Sequence, residues 1–259
     1  MPLIYEPKGK AREYSPLALN VYTGGCEHQC SYCFCRRIFG KNWGTTPKPR
    51  DLTGLAREAA KADKQILLSF VGDPYCPAER VHRNTRKALG ILRQAGCSVA
   101  ILTKGGLRCL DDLDTFQARP GQRIKVGATL TFSSEARSRE MEPGAAPPAE
   151  RIEALATLYA AGVRTWASIE PVIDPDESLS VIERSLPYVV AYKIGKLNHI
   201  ASDIDWSAFC RQAVDLVRSA GRQLYVKADL RKFAPPGYLT AAECDQDTLS
   251  LPGWTKVGR

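Results

Sequence analysis

The sequence predicts an α/β protein, a partial (β/α)6-type TIM barrel of parallel strands with outer helices. Strand-like apolar runs alternate with amphipathic helix-like runs along most of the 259 residues. This alternation is typical of parallel strands joined by right-handed crossovers. Polar residues recur where the predicted strands end, which is where barrels of this kind place their chemistry. The sequence contains no G-x-G-x-x-G or Walker A motif, so it gives no support to nucleotide binding by those routes.

Seven strands are expected from alternating or continuously apolar runs. The first alternates from Leu17 to Thr23 and stops at Gly24-Gly25. The predicted strands cover residues 17–23, 65–71, 98–103, 123–132, 163–173, 188–195 and 222–230. A closed barrel of this type needs eight strands, so the pattern predicts a partial or open barrel.

Six helices are expected between these strands. The run 78–95 is amphipathic and is followed by Gly96, a residue suited to a helix C-terminus. The run 147–162 starts with two prolines and stops at Gly162. The predicted helices cover residues 53–63, 78–95, 109–118, 147–162, 176–186 and 206–220.

The domain organisation follows from these elements. Residues 1–16 are polar and predict an N-terminal arm, residues 17–230 form the barrel, and residues 231–259 form a C-terminal tail packed on it. No apolar run approaches the length of a membrane span, and the first residues lack a signal-peptide pattern. Nine unevenly spaced cysteines argue against a secreted disulfide scaffold. We therefore expect a cytoplasmic monomer without membrane contact.

Residues 20–40, NVYTGGCEHQCSYCFCRRIFG, carry the most informative motif. Cys26, Cys30 and Cys33 have C-x3-C-x2-C spacing, and a [4Fe–4S] cluster is normally held by four cysteine thiolates. Three thiolates leave one iron open to the amine and carboxylate of S-adenosylmethionine (SAM), whose sulfonium bond an electron from the cluster could cleave. Two alternatives are a structural zinc site with His28 as fourth ligand and a group of unrelated buried thiols.

The charge of the chain is compatible with a nucleic-acid partner. The net charge is +8 and the isoelectric point is about 9.0. Basic and aromatic residues also interleave after the cysteines, where they could hold phosphates and stack a base, or form an ordinary solvated loop. These residues are Arg36, Arg37, Lys41, Lys48 and Arg50 with Phe34, Phe39 and Trp43.

The cysteine spacing, with Tyr32 before the third cysteine, resembles the C-x3-C-x-aromatic-C motif of the radical SAM superfamily. In that family the aromatic residue lies near the adenine of SAM, which implies this role for Tyr32. Further stretches between residues 15 and 185 resemble the spore photoproduct lyase-like subgroup. They are residues 71–79, Thr85-Arg86, residues 101–104, Thr129-Leu-Thr131, Glu142-Pro143, Arg151 and residues 170–173.

The resemblance implies roles for single residues. Cys26, Cys30 and Cys33 would bind the cluster, and Gly72 and Asp73 would face the SAM amino group. The carboxylate and ribose side would be lined by Lys104, Thr131 and Glu170. Arg151 either belongs to this site or is a salt-bridged helix residue.

Cys76 stands where the subgroup pattern has glutamine. In spore photoproduct lyase a cysteine shortly after the second strand donates a hydrogen atom to the product radical, so Cys76 is either the hydrogen donor or a packing thiol. Cys35 is a second candidate by proximity. The last third departs from that family, and Lys193, Lys196, Asn198, His199 and Lys227 could form a different substrate surface.

The resemblance therefore implies an enzyme that binds a [4Fe–4S] cluster and SAM, generates a 5′-deoxyadenosyl radical and abstracts hydrogen from a substrate. Nucleic acid, in lesion repair or base modification, is the expected substrate, and a peptide or small metabolite is the alternative. The electron donor would be a protein such as flavodoxin or ferredoxin. A non-enzymatic reading is a basic nucleic-acid-binding module with structural zinc.

Overall fold

A computed structural model describes residues 2–117, 123–198 and 202–251 of the chain. In these residues the strands are β1 (Ile4–Tyr5), β2 (Leu17–Leu19), β3 (Tyr22–Thr23), β4 (Lys48–Pro49), β5 (Ile66–Leu68), β6 (Val99–Thr103), β7 (Ile124–Thr129), β8 (Arg164–Ile169), β9 (Ala191–Ile194) and β10 (Gln223–Val226). The helices are α1 (Phe34–Phe39), α2 (Leu55–Ala59), α3 (Glu79–His82), α4 (Asn84–Gln94), α5 (Leu113–Phe116), α6 (Glu135–Met141), α7 (Pro148–Ala160), α8 (Pro175–Ser185), α9 (Trp206–Ser219), α10 (Ala228–Arg231) and α11 (Ala241–Cys244). Three 3₁₀ turns cover Gly9–Glu13, Gly40–Asn42 and Gly106–Asp112.

The main sheet has eight strands in the order β1-β2-β5-β6-β7-β8-β9-β10. Neighbours from β2 to β10 pair in parallel, and β1 pairs antiparallel with β2 at one edge. Within the described residues β1 and β10 do not pair with each other, so the barrel is open. The predicted partial barrel of parallel strands is confirmed. In the same residues no helix has the length and apolar character needed to cross a bilayer.

Several predicted strands are shorter than expected. The run 17–23 divides, because only residues 17–19 join the main sheet while β3 pairs with β4 in a separate two-stranded sheet. The run 163–173 is extended only to Ile169, and the run 222–230 leaves the sheet after Val226 and continues as α10. The predicted arm also contributes β1 to the sheet. The division into arm, barrel and tail stays a prediction.

The predicted helix 78–95 is two helices. Arg83 has a left-handed φ of 53° and separates α3 from α4. The Glu79 carboxylate accepts the backbone N–H groups of Thr85 (2.9 Å) and Arg86 (3.1 Å). A carboxylate that satisfies the free N–H groups of a new first turn stabilises a helix start there, so Glu79 helps α4 to begin where it does.

The barrel interior is filled by alanines, two leucines and the aromatic residues Trp166 and Tyr225. Trp166 is buried and donates from Nε1 to the Ile101 carbonyl at 3.0 Å. A Cβ at Gly127 would lie 2.5 Å from the indole of Trp166, so glycine permits this contact. Leu249 packs in the same interior cluster, and its carbonyl accepts a hydrogen bond from Lys125 Nζ. The interior therefore includes a residue of the C-terminal segment.

Candidate active site

The three cysteines lie in the loop between β3 and α1, and Cys33 is the residue that precedes the first turn of α1. The loop is tied to residue 44, because Cys26 N donates to the Gly44 carbonyl at 3.2 Å. A Cβ at Gly25 would lie 2.5 Å from the same carbonyl oxygen. Only glycine allows the loop to approach this closely.

The other side of the loop is fastened to residues 141–144, which are the last residue of α6 and the three residues after it. Ser31 N donates to the Met141 carbonyl at 2.9 Å, and Gly144 N donates to the His28 carbonyl at 3.1 Å. A Cβ at Gly144 would overlap the Glu27 carbonyl oxygen at 1.9 Å. The cysteine loop is thus held between two backbone segments before any cofactor is considered.

His28 is engaged by the protein on both ring nitrogens. Nε2 lies 3.1 Å from Arg108 Nη2, and Nδ1 lies 3.4 Å from Asp73 Oδ2. Arginine can only donate, so Nε2 accepts and the neutral ring carries its proton on Nδ1. Burial lowers the pKa of His28 to about 4, and the attraction of Asp73 offsets this only in part. Its lone pair is therefore already used, and the zinc reading loses its proposed fourth ligand.

All nine cysteines are free thiols. Burial raises the pKa of Cys26 to about 12 and also raises the pKa of Cys30. A hydrogen bond from the Cys35 thiol lowers the pKa of Cys33, and Lys104 acts in the same direction. Lys104 also favours the thiolate of Cys30. Metal binding requires thiolates, so a cation beside two of the three thiols suits a thiolate-ligated group.

Within the described ranges, no three His, Cys, Asp or Glu side chains gather closely enough to hold a single metal ion. A [4Fe–4S] cluster places its cysteine ligands on different irons, so its thiolates do not need to converge on one point. Three free thiols on one short, fastened loop are the donor set of such a cluster when one iron is left open. The residues present therefore fit the cluster.

Asp73 lies at the carboxyl end of β5 and is buried. Its Oδ1 accepts from Tyr75 N (2.8 Å) and Thr103 Oγ1 (2.6 Å), and its Oδ2 accepts from Lys104 N (2.8 Å). Burial acts to raise the pKa of Asp73, but the facing His28 ring and these hydrogen bonds hold it below its usual value. Asp73 thus joins the ends of β5 and β6 to the cysteine loop.

Tyr32, Lys104, Thr131 and Glu142 form a second part of the site. The Tyr32 hydroxyl donates to Glu142 Oε1 and lies 3.4 Å from Thr131 Oγ1. Lys104 Nζ lies 5.5 Å from the centre of the Tyr32 ring and 4.0 Å from Glu142 Oε1. Burial and the Glu142 charge raise the pKa of Tyr32, so its hydroxyl keeps its proton. Three residues predicted to bind the cofactor therefore lie together, beside the cysteine loop.

Arg151 fixes the position of Glu142. Its Nη2 donates to Glu142 Oε2, and the remaining guanidinium donors reach the carbonyls of Ala146 (2.7 Å) and Thr129 (3.0 Å). Burial acts to raise the pKa of Glu142, but Arg151 and Lys104 outweigh it and lower the pKa. Of the two readings of Arg151, the structure has the salt-bridged helix residue, and its partner is the carboxylate that holds Tyr32.

Glu170, at the end of β8, contacts a different set of residues. Its Oε2 accepts from the Tyr14 hydroxyl (2.6 Å) and Lys227 Nζ (2.5 Å), and its Oε1 accepts from Asn198 Nδ2 (2.8 Å). Lys193 Nζ lies nearby and donates to the carbonyls of Glu13 (2.5 Å) and Tyr14 (3.1 Å). Lys193, Asn198 and Lys227, predicted as a substrate surface, are therefore close together, whereas His199 lies outside the described residues.

Cys76 and Gly72 flank Asp73. The Cys76 side chain is fully buried in the core beneath the sheet, and burial raises its pKa. Gly72 has a φ of 76°, a left-handed conformation that favours glycine. Tyr14, Glu13 and Arg108 were not predicted as site residues. Their polar side chains stand in an arm and a 3₁₀ turn, where no local pattern marks them.

The model of the radical SAM superfamily matches residues 20–186, which include the cysteine loop and the strand ends through Glu170. The chain belongs to the radical SAM superfamily. It is an enzyme of this class, as the resemblance in the sequence predicted, and the non-enzymatic reading is wrong. Members of the superfamily generally use SAM and a [4Fe–4S] cluster.

Curated relatives of this radical SAM enzyme extend from archaea to bacteria. An uncharacterized protein of Methanocaldococcus jannaschii is 32% identical over 192 residues, which are 71% of either chain. An uncharacterized protein of Mycobacterium tuberculosis is 27% identical over 161 residues, which are 58% of this chain and 47% of the relative. The enzyme thus spans about half the length of its mycobacterial relative.

Solved structures share the fold at low identity. A point mutant of spore photoproduct lyase has a TM-score of 0.64 at 11% identity, covering 83% of this chain and 77% of its own. SuiB of Streptococcus suis, bound to S-adenosylmethionine, has a TM-score of 0.63 at 11% identity, covering 82% of this chain and 50% of its own. The predicted similarity to spore photoproduct lyase is confirmed at the level of the fold.

Proposed function

We propose that this radical SAM enzyme binds one [4Fe–4S] cluster through Cys26, Cys30 and Cys33, binds SAM beside it and acts on nucleic acid by hydrogen abstraction. The observation that carries the proposal is the cysteine loop itself. Three free thiols lie on a loop fastened at Gly44 and Met141, within the part of the chain that matches the superfamily. Lys104 stands beside the loop as the cation that favours the thiolates of Cys30 and Cys33.

When bound, the cluster supplies an electron to SAM and thereby generates the 5′-deoxyadenosyl radical that abstracts a substrate hydrogen. The residues of the chain hold the side chains that would bind the cluster and SAM, and they fix the orientation of these side chains. Asp73 ties the backbone of Lys104 to the β5 end, and Arg151 holds Glu142, which in turn holds Tyr32. Preorganised groups of this kind need no rearrangement when a cofactor arrives.

SAM would lie over the carboxyl ends of the strands, with Tyr32 near its adenine and Gly72, Lys104, Thr131 and Glu170 along its other groups. The Asp73 carboxylate already accepts three hydrogen bonds from the protein. Its support for SAM would therefore act largely through the position of Lys104 and of the cysteine loop. Residues that do not touch a bound group can still fix the geometry of the residues that do.

Nucleic acid is the substrate class favoured by the net charge of +8 and by the likeness to spore photoproduct lyase, which has been solved with a dinucleoside spore photoproduct. A peptide is the second candidate, because SuiB has been solved with the precursor peptide SuiA. An anaerobic assay with damaged oligonucleotides and with peptides, both deuterated at candidate C–H positions, separates the two. Deuterium in 5′-deoxyadenosine from the oligonucleotide supports the proposal, and transfer only from the peptide contradicts it.

The cluster assignment is tested with Cys30→Ala, with Cys244→Ala as control because Cys244 lies in α11. We expect the first variant to lose iron–sulfur absorption and SAM cleavage by at least about 100-fold, since metal binding depends on the full ligand set. The control should retain both. Zinc in place of iron, or SAM cleavage that survives Cys30→Ala, would overturn the assignment.

We also propose Cys76 as the hydrogen donor to the product radical, the role that the resemblance implies. Its neutral thiol keeps the hydrogen that such a donor must transfer. The transfer would break the S–H bond, form a C–H bond on the product and leave a thiyl radical on Cys76, which one electron from the protein electron donor and one proton would return to the thiol. Because the side chain is buried, the donor role requires the substrate or the 72–77 turn to move when the site fills. Cys76→Ala should keep SAM cleavage and change the product, whereas an unchanged product leaves Cys76 as a packing thiol.

A further inference from the structure

Apolar side chains are exposed on α1, directly after the third cysteine of the cluster loop. Phe34, Ile38 and Phe39 expose 43%, 68% and 40% of their surface. They account for half of the large hydrophobic side chains that are exposed in the described residues, although α1 is only six residues long. A local concentration of exposed apolar groups marks an interaction surface more often than scattered ones do.

The same surface is cationic. No aspartate or glutamate occurs from residue 28 to residue 50, whereas five basic residues do. Arg36 lies in α1, Lys41 in the 3₁₀ turn directly after it and Lys48 in β4, and all three side chains are exposed. We call Phe34, Arg36, Ile38, Phe39, Lys41 and Lys48 the α1 patch. A cationic rim around an apolar centre attracts and orients an acidic partner.

The α1 patch begins at the residue that follows the third cysteine of the cluster loop. Cys33 precedes the first turn of α1. Cys35, the second residue of the helix, is buried and donates a hydrogen bond to the Cys33 sulfur. Tyr32 points inward to Glu142, while Phe34 is exposed. The patch therefore faces outward from the cysteine loop, away from the residues proposed to hold SAM.

We propose that the α1 patch is the docking surface for an acidic one-electron carrier protein. This inference rests on the proposed function, because a cluster must be reduced by one electron before it can give that electron to SAM. In the docked complex one electron leaves the reduced carrier and is accepted by the oxidised cluster that the three cysteines hold, so the carrier is oxidised by one electron. No bond forms or breaks in the step.

The composition of the patch favours a carrier protein over nucleic acid. Ile38, its most exposed apolar residue, offers no hydrogen bond and no ring for a base. Phe39 stacks on Trp43 with ring centres 5.5 Å apart and planes at 21°, so one face of each ring is already covered. Electron-transfer complexes are small and transient, and an apolar centre of a few side chains with a charged rim is sufficient for one.

The experiment measures cluster reduction in the anaerobically reconstituted full chain by stopped-flow absorbance. Reduced acidic flavodoxin is one electron source and dithionite, a small molecule that needs no docking surface, is the other. The test variant is I38E/K41E. The matched control is V81E/K87E, which makes the same charge change at an exposed valine (79% exposed) and an exposed lysine on α3 and α4.

We expect the flavodoxin rate constant of I38E/K41E to fall about tenfold or more at low salt, with a weaker salt dependence. The control should change by less than about twofold, and dithionite should reduce all three proteins equally. Equal losses in test and control would mean that only net charge matters, and this would overturn the docking surface, as would an unchanged rate. A loss of oligonucleotide binding with unchanged flavodoxin reduction would overturn it in favour of nucleic acid. If dithionite-reduced wild type fails to cleave SAM, the proposed function fails, independently of the patch.

Discussion

Two polar clusters lie at the carboxyl ends of the barrel strands, and they are built differently. The first contains Asp73, Lys104, Glu142 and Arg151 and surrounds the cysteine loop on the β5–β7 side. Asp73 lies in the loop after β5 and Lys104 directly follows β6, while Glu142 directly follows α6 and Arg151 lies in α7. The second surrounds Glu170 on the β8–β10 side, and several of its contacts come from Glu13 and Tyr14, which precede β2. One cluster fastens a loop within the barrel, and the other fastens the N-terminal segment to the far strands.

The two clusters therefore have different structural roles at the same end of the barrel. β1 and β10 are the edges of the open sheet, and the segment that connects β1 to β2 reaches β8, β9 and β10 through Tyr14 and Glu13. Tyr14 bonds to Ser168 (2.9 Å) and Glu170, while Glu13 accepts from Tyr225 (2.7 Å). The second cluster thus bridges the open side of the barrel with side chains, where backbone pairing is missing among the described residues. The first cluster does not bridge the open side, and its residues contact the cysteine loop instead.

The largest expected effect comes from breaking the buried ion pair of the first cluster. In Arg151→Met the carboxylate of Glu142 loses its strongest partner while both side chains are almost fully buried. Removing one member of a buried pair leaves an uncompensated charge and destabilises by about 3–5 kcal/mol. Urea unfolding followed by circular dichroism measures the loss.

Arg137→Met is the matched control, because Arg137 also bridges to carboxylates but is partly exposed. Its removal should lower the free energy of unfolding by about 1 kcal/mol or less. Equal losses in the two variants would show that the first cluster is no more tightly coupled than a surface pair.

A middle-sized effect is expected at Glu170, for which the resemblance to the radical SAM superfamily implies a role in SAM binding and which we propose to contact SAM. Glu170→Gln should raise the SAM dissociation constant about tenfold, the size of one lost charged hydrogen bond. Tyr14→Phe breaks the same cluster but leaves the carboxylate, so it should change the dissociation constant by less than about twofold. Equilibrium binding to the reconstituted protein measures both. If Glu170→Gln binds SAM with normal affinity, Glu170 does not bind SAM, and the role of the second cluster is only to bridge the open side of the barrel.

The smallest effect is a pH dependence of stability at Lys193. Burial, helped by the charge of Lys227, lowers the pKa of Lys193 to about 7, below the usual lysine value near 10.4. Between these values the unfolded chain binds a proton that the folded chain does not, so stability should rise with pH. The expected gain is about 1 kcal/mol between pH 7.5 and 8.5.

Lys193→Met removes the titrating group and should remove this gain. Unfolding free energies at the two pH values, for wild type and variant, measure the difference. The same slope in both proteins would mean that Lys193 keeps its charge in the fold, with the carbonyls of Glu13 and Tyr14 compensating for its burial.

Local sequence patterns were sufficient for the architecture and for the position of the cysteine loop. Alternating apolar runs report which segments are buried, and this led to the parallel order of β2 and β5 to β10. The same patterns misjudged where elements stop. The helix 78–95 is broken at Arg83 because Glu79, a residue of the preceding turn, satisfies the start of α4. Such a contact leaves no trace in hydrophobic periodicity.

What the sequence alone determined is the chemistry on offer: three cysteines at a spacing that suits an open iron–sulfur cluster, and a succession of strands that brings polar residues to one edge. Only the tertiary structure showed which polar side chains already have hydrogen-bond or ion-pair partners within the protein. His28 is held by Arg108 and Asp73, and Glu170 is held by Tyr14, a residue 156 positions away. The reason is physical. Spacing along a chain reports local conformation and burial, whereas the partner of a buried charge is set by how distant segments pack.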